Sequence, residues 1–255
     1  MSLYVGYFDD SGRKDGPNPI AVVAGFVAHP ADWLGFNPRW QKILDKHGIE
    51  VHHQNKWSNH APPFTPDDWP DSRRHEYLNE LIDLFTGLNA VPIGAAVQED
   101  RFDALFPEGR KYMSVIGYAA QCVFGATAEV VRSRVPAARI AYVFESGTPE
   151  FGAIQQTFNR SIAIPETKQK FGLISLAEGD KRDFRQLQAA DIMAYETFKL
   201  FEKGDDRGSW NARYPLREIG NRLPVGILMT PSDDMLKYAS DIRRWQELQE
   251  SPESL

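Results

Sequence analysis

The 255-residue chain is predicted to fold as an α/β protein whose mixed β-sheet is flanked by helices. Two apolar segments, residues 3–9 and 19–28, enclose a run rich in turn-forming residues, which is typical of a β-hairpin. Strand-like segments then alternate with segments in which apolar residues recur at helical spacing. The composition, 42% hydrophobic and 25% charged, is ordinary for a globular protein. These observations predict one elaborated domain, residues 1–255, with helices on both faces of the sheet.

The elements after the hairpin begin with a predicted helical insertion, residues 31–88. Its first helix covers 31–47, with Pro38 as a possible break and Gly48 as the C-cap. A polar, histidine-rich segment follows and is expected to leave the core. The remaining predicted elements are helix 71–87, strand 90–98, helix 111–134, strand 138–145, helix 150–162, strand 171–177, helix 184–203, and a helical C-terminal extension within 204–255 with a loop at 223–232.

The last of the sheet-flanking helices carries an acid on its apolar face. Asp191 lies on the same helical stripe as Ala194 and Phe198. An ionised carboxylate is very costly to bury without a partner. We therefore expect Asp191 to contact a basic side chain, backbone donors or a metal ion. The structural alternative to a functional site is an ion pair with Arg185 or Lys181.

Two further acids stand where apolar strands end. Asp9 follows Y-V-G-Y-F, and Glu145 follows I-A-Y-V-F. Ligand sites in α/β sheets favour strand ends. The neighbouring Asp10 should point to the opposite face of the sheet, so we assign Asp9 to the site. Turn chemistry or capping of a helix is the alternative role for these acids.

Three acids from three separate elements predict one carboxylate cluster. Hard cations such as Mg²⁺ or Mn²⁺ prefer oxygen ligands. Paired ions held by carboxylates support hydrolysis of phosphodiesters. We therefore expect Asp9, Glu145 and Asp191 to act as metal ligands and catalytic groups.

The histidine-rich segment offers candidates for proton transfer. His52 and His53 follow Glu50 in this polar stretch, and a histidine there can act as a base, an acid or a ligand. A solvated loop is the alternative for both residues. The spacing of the chain's histidines, which include His47 and His60, matches no standard zinc motif and has no cysteine partners nearby.

Basic residues precede the helix that carries the aspartate. Lys181, Arg182 and Arg185 are candidate contacts for phosphate, and a solvated surface is their alternative role. The net charge of −6 argues against a non-specific nucleic-acid binder with a large basic face. It leaves room for a local basic patch.

Several other functions are disfavoured by the sequence. It lacks the glycine-rich nucleotide motifs and the G-x-S-x-G context of a serine nucleophile. The single cysteine, Cys122, permits no intrachain disulfide and is expected in the core. No secretory signal is recognised at the N-terminus, and the apolar run 20–28 is too short for a membrane-spanning helix. We expect a cytoplasmic protein with no membrane partner.

Two motifs resemble signatures of the family called domain of unknown function 3800. Y-V-G-Y-F-D-D-S-G is similar to its N-terminal I-Y-I-D-E-S-G motif, and F-R-Q-L-Q-A-A-D-I-M-A-Y-E is similar to its second motif, G-L-Q-L-A-D-L-I-A-Y. With the A-Y-V-F-E strand, the resemblance covers residues 3–203. It implies a ribonuclease H-like fold in which Asp9, Glu145 and Asp191 take the acidic positions. Asp10 departs from the family pattern, which has glutamate there.

The residues and the resemblance together predict a Mg²⁺- or Mn²⁺-dependent phosphodiester hydrolase, with nucleic acid or a small phosphodiester as its substrate. The alternative is a non-catalytic module that binds nucleic acid or protein on the same scaffold. An arrangement in which an arginine seals Asp191 would favour that alternative.

Overall fold

The computed structural model describes residues 2–15, 19–202 and 212–223, together with the backbone of 227–229. Its strands form one mixed sheet. The strands are β1 (Leu3–Arg13), β2 (Ile20–Ala28), β3 (Val91–Gln98), β4 (Arg139–Glu145), β5 (Leu173–Gly179) and β6 (Ile227–Met229). Their order across the sheet is β5-β4-β1-β2-β3-β6.

The strand directions follow from the connections. Strands β1, β2 and β3 are consecutive antiparallel neighbours, and the first two form the predicted hairpin. Strand β4 is parallel to β1, and β5 is parallel to β4. The carboxyl ends of β1, β4 and β5 therefore meet at one edge of the sheet, where α/β proteins place their ligand sites.

Helices cover both faces of the sheet, which confirms the predicted α/β class. They are α1 (Pro30–Trp33), α2 (Phe36–His47), α3 (Gln54–Ser58), α4 (Asp71–Thr86), α5 (Glu99–Leu105), α6 (Val115–Arg134), α7 (Phe151–Ala163), α8 (Pro165–Phe171), α9 (Gln186–Phe201) and α10 (Tyr214–Arg222). One hydrophobic core joins α6 and α7 to one face, where Phe8 and Cys122 are buried. The other core joins the 31–88 region and α9 to the opposite face. Alternate strand residues serve the two cores, because successive side chains point to opposite faces.

Several predicted boundaries differ from the structure. Strand β1 continues to Arg13 through residues predicted as loop, because that stretch keeps pairing with β2. The break near Pro38 lies earlier, between α1 and α2, and Gly48 caps α2 with a left-handed φ of 72°. Helices α5 and α8 were not predicted. The predicted loop 223–232 contains the short strand β6, which pairs with β3. Most of the predicted extension 204–255 lies outside the described residues.

The histidine-rich segment does not leave the core as predicted. His52 and Gln54 have no solvent exposure, and Trp57 is also buried. Helix α3, which belongs to this segment, packs against α9. The polar side chains of His52 and Gln54 are tolerated there because other side chains satisfy them, a condition that sequence pattern does not reveal. No described helix has the length and apolar character needed to cross a membrane.

Candidate functional site

The sheet register places Asp9 and Glu145 side by side. The last paired residues of the parallel strands β1 and β4 are Phe8 and Phe144. Asp9 and Glu145 are the next residue on each strand, so the two carboxylates leave the sheet at the same level. Strand β1 continues past this point with a neighbour only on its β2 side. The parallel pairing therefore ends where the two acids begin.

Lys181 reaches Glu145 from the turn after β5. That strand ends at Gly179, which pairs with Glu145. A Cβ at position 179 would lie 2.7 Å from the ring of Phe184, so glycine is needed for the turn to fold back this closely. The Asp180 carbonyl accepts hydrogen bonds from the Asp183 and Phe184 amides and closes the turn.

Lys181 bridges the carboxylates of Glu145 and Asp191. Its Nζ lies 2.6 Å from Glu145 Oε2 and 3.7 Å from Asp191 Oδ2. Asp191 Oδ2 also accepts a hydrogen bond of 3.1 Å from the backbone amide of Gln54. Of the three kinds of partner predicted for Asp191, the structure contains a basic side chain, Lys181, and a backbone donor, Gln54. We call Asp9, Glu145, Asp191 and Lys181 the carboxylate cluster.

The cluster carries more negative charge than its lysine neutralises. Full ionisation of the three carboxylates beside one ammonium would give a charge of −2. Burial raises the pKa of Asp9 well above its ordinary value, Asp191 and Glu145 raise it further, and Lys181 lowers it. Burial opposes the charge on Lys181, but Asp191, Asp9 and Glu145 outweigh it and raise the pKa of the ammonium. The side chains of Glu145, Asp191 and Lys181 keep 12–17% of their surface exposed, so solvent reaches the cluster.

His52 is a structural residue in this arrangement. Gln54 Nε2 donates to Glu196, so its Oε1 accepts, and His52 Nε2 is the donor in their 2.9 Å bond. His52 Nδ1 then accepts from the Tyr77 hydroxyl at 3.1 Å. Burial lowers the pKa of His52 to about 4. With both ring nitrogens occupied and no exposure, the geometry does not support the predicted proton-transfer role of His52.

His53 lies within electrostatic range of the cluster. It is half-buried, and burial followed by the nearby Lys181 lowers its pKa, while Asp191 and Glu145 act in the opposite direction. A lowered pKa keeps the imidazole neutral at neutral pH. Of the two predicted histidines, His53 is therefore the one able to accept a proton beside the carboxylates.

Two buried glutamines hold the cluster in place, and the sequence reasoning missed both. Gln188 Oε1 accepts from the Trp40 indole and the His52 amide, each at 2.9 Å, and its Nε2 donates to the Lys181 carbonyl at 2.8 Å. The backbone amide of Gln54 donates to Asp191 Oδ2, and its side-chain amide donates to Glu196 Oε1. One feature of the sequence could have indicated Gln188: it is a polar residue on the same apolar helix as Asp191.

The two predicted phosphate-binding arginines occupy different positions. Arg185 bonds through Nε to Gln41 Oε1 at 2.9 Å and through Nη1 to the Lys181 carbonyl at 3.1 Å, so it braces the turn. Arg182 is exposed, with long contacts of 3.9 Å to Glu50 and 3.7 Å to Asp180. Arg182 is thus better placed than Arg185 to meet a charged ligand outside the cluster.

Asp10 faces away from the cluster, as predicted from strand alternation. Burial raises its pKa to about 6, against the effect of a Thr148 hydrogen bond, and Glu150 raises it as well. A cavity of about 560 Å³ lies on that side, bordered by Asp10, Glu150, Arg110 and the first turn of α6. The lining of this cavity does not include the cluster carboxylates, so the two features are distinct.

The donor set of the cluster suits a hard divalent cation. Three carboxylates supply oxygen ligands, and their excess charge favours a cation. The carboxylate oxygens do not surround a single ion position, because the Lys181 ammonium lies between those of Glu145 and Asp191. Among the described residues, the group whose ligand atoms all lie within 4.8 Å of one another is a different one. An ion would take oxygens that now contact the Lys181 ammonium.

No family model matches the chain, and no curated protein matches it either. The resemblance to the family called domain of unknown function 3800 therefore rests on its two motifs.

Proposed function

We propose that the carboxylate cluster is the active site of a Mg²⁺- or Mn²⁺-dependent phosphodiester hydrolase on a ribonuclease H-like scaffold. The observation that carries this proposal is that Lys181 contacts Glu145 and Asp191 while the strand register places Asp9 beside Glu145, at the carboxyl end of parallel strands. A structural ion pair needs one acid for one base. Three acids around one lysine leave a charge that a divalent cation would neutralise.

The acids and their neighbours have separate roles in this mechanism. Asp9, Glu145 and Asp191 would hold the ion, which supplies activation of water and stabilisation of charge on the phosphate. Lys181 adds a positive charge next to the acids, which would stabilise the negative charge that develops on the phosphate during hydrolysis. His53, neutral because burial lowers its pKa, accepts a proton from the attacking water. Arg182 contacts phosphate outside the cluster.

The substrate in this proposal is a nucleic acid strand or a small phosphodiester. The net charge of −6 weakens long-range attraction for a polyanion. Two local cations, Lys181 within the cluster and Arg182 outside it, then provide the contacts to individual phosphates. This favours a short or single-stranded substrate over a long duplex.

A non-catalytic binding module is the second candidate, and one observation favours it. Lys181 Nζ contacts Glu145 at 2.6 Å and satisfies part of the charge of the acids without a metal. In a binding module this ion pair would be permanent, and the cluster would only fix the turn between β5 and α9. The two candidates differ in whether loss of an acid removes a chemical activity.

Glu145→Gln and Asp191→Asn are each expected to reduce metal-dependent hydrolysis by at least about a hundredfold, because each removes a charged metal ligand. The assay would use short single-stranded RNA and DNA and an activated diester, with Mn²⁺ or Mg²⁺ added after chelation. Glu178→Gln is the matched control, since Glu178 is an exposed acid on the neighbouring strand β5. Full hydrolysis by folded Asp191→Asn protein would refute the mechanism.

A further inference from the structure

We propose that His47, Glu76 and Glu80 form a second divalent-cation site, suited to Zn²⁺, that ties helix α2 to helix α4. This group is separate from the carboxylate cluster and shares no residue with it. The proposal does not depend on the hydrolytic function proposed above.

The ligand atoms of the three residues are already close together. One imidazole nitrogen and one oxygen from each carboxylate all lie within 4.8 Å of one another. His47 Nε2 is 3.5 Å from Glu80 Oε2. Glu76 and Glu80 are one helical turn apart on α4, so their side chains share a face. Two helices thus contribute to one compact group.

His47 is buried, and its ring nitrogen Nε2 has no hydrogen-bond partner among the described residues. Its side chain is only 6% exposed, and Nε2 has no hydrogen bond within the part of the chain that the structure describes. The ring packs against the rings of Trp69 and Tyr77 at centroid distances of 6.0 and 5.1 Å, which fixes its orientation. A buried, unsatisfied nitrogen is costly, and a metal bond would satisfy it.

The two glutamates already share one cation. Lys46 Nζ lies 3.0 Å from Glu76 Oε1 and also contacts Glu80 Oε1. The Lys46 side chain is 53% exposed, so it can leave for solvent at little cost. His47 and Lys46 end α2, where the helix dipole favours positive charge. A divalent ion would replace the ammonium and gain the imidazole nitrogen as a third ligand.

Zn²⁺ fits this donor set because it accepts both imidazole nitrogen and carboxylate oxygen. Ligands roughly 2.1 Å from one tetrahedral ion lie about 3.4 Å apart. The ligand atoms now lie within 4.8 Å of one another, so they need to approach by at most about 1.4 Å to close the site. Glu76 is 58% exposed and Glu80 28%, so both are free to make this adjustment.

The test uses the Asp191→Asn protein, in which the carboxylate cluster lacks one ligand. Calorimetry with Zn²⁺ should give one site per chain, and Co²⁺ should produce the visible absorption of a low-coordinate nitrogen–oxygen site. Adding Glu76→Gln or Glu80→Gln should weaken binding at least tenfold. Asp71→Asn, which removes an exposed acid elsewhere on α4, should leave binding unchanged.

Lys46→Met supplies a test with the opposite sign. Removing the competing ammonium should tighten Zn²⁺ binding about tenfold, whereas loss of a mere surface ion pair would not change it. The site is overturned if the folded Asp191→Asn protein binds no Zn²⁺, if Glu76→Gln binds as tightly as its parent, or if Lys46→Met fails to strengthen binding.

Discussion

Replacement of Asp9 with asparagine should abolish metal-dependent hydrolysis while making the folded protein more stable. The loss of activity should reach about a thousandfold, because the residue proposed as a buried metal ligand loses its charge. In chelator at neutral pH, we expect the free energy of unfolding to rise by about 1–2 kcal/mol, as is common when a strained active-site charge is removed. Asparagine keeps an oxygen that can accept the 2.8 Å bond from the Asp10 amide.

The stabilisation by Asp9→Asn should depend on pH in a defined direction. Burial and the neighbouring acids raise the pKa of folded Asp9 above its ordinary value of 3.8. Between these two pKa values the folded state binds more protons than the unfolded chain, so wild-type stability falls as pH rises. The difference between variant and wild type should widen as pH rises above 3.8 and should close below it. Protonation of His52 near pH 4 affects both proteins alike.

Asp10→Asn is the control for this experiment. Asp10 also has a raised pKa, about 6, so its removal should stabilise the protein above that pH. Its side chain faces away from the cluster, so hydrolysis should remain near the wild-type rate. Denaturant unfolding over a pH series, with hydrolysis measured on the same samples, separates the two effects. Equal loss of hydrolysis in both variants would contradict the assignment of Asp9 alone to the site.

Gln188→Ala should be among the most destabilising single substitutions near the site. It leaves the buried Trp40 indole and His52 amide without their shared acceptor, and each such loss costs about 1–3 kcal/mol. We expect unfolding free energy to fall by about 3 kcal/mol, with a melting temperature lower by about 6–12 °C. The Lys181 carbonyl also loses its donor, so hydrolysis should fall in parallel.

Gln186→Ala provides the comparison for Gln188→Ala. Gln186 is also buried on α9, but its Oε1 has no hydrogen-bond partner among the residues that the structure describes. Its loss should therefore cost much less, and thermal unfolding of the two variants should differ clearly. Equal destabilisation would mean that buried volume, and not the hydrogen bonds of Gln188, determines the effect.

The sequence was sufficient for the α/β class and for the proximity of the acids. The alternation of apolar strands and helices predicts the α/β class. The position of Asp9 and Glu145 at strand ends predicts that these acids lie close together. Asp191 was conspicuous because an acid on an apolar helical face needs a partner. The structure supplies Lys181, which the sequence offered only as one of two basic alternatives.

The supporting residues could not be predicted for a physical reason. His52, Gln54 and Gln188 are polar and fully buried, and their burial is tolerable only because they satisfy one another across distant parts of the chain. Periodicity describes one segment at a time and misses such pairings. For the same reason the prediction that the histidine-rich segment leaves the core is wrong, and sequence pattern does not connect His47 with Glu76 and Glu80.

The central claim, that the carboxylate cluster is a metal site, is tested most directly by calorimetric titration of Mn²⁺. The titration would use a Glu76→Gln background, so that the group at His47 does not contribute. We predict binding by this protein, loss of binding with Asp191→Asn, and at least equally tight binding with Lys181→Met, which frees the oxygens of Glu145 and Asp191. Folded proteins that bind no Mn²⁺ with or without Lys181 would contradict the claim and leave the cluster as a structural ion pair.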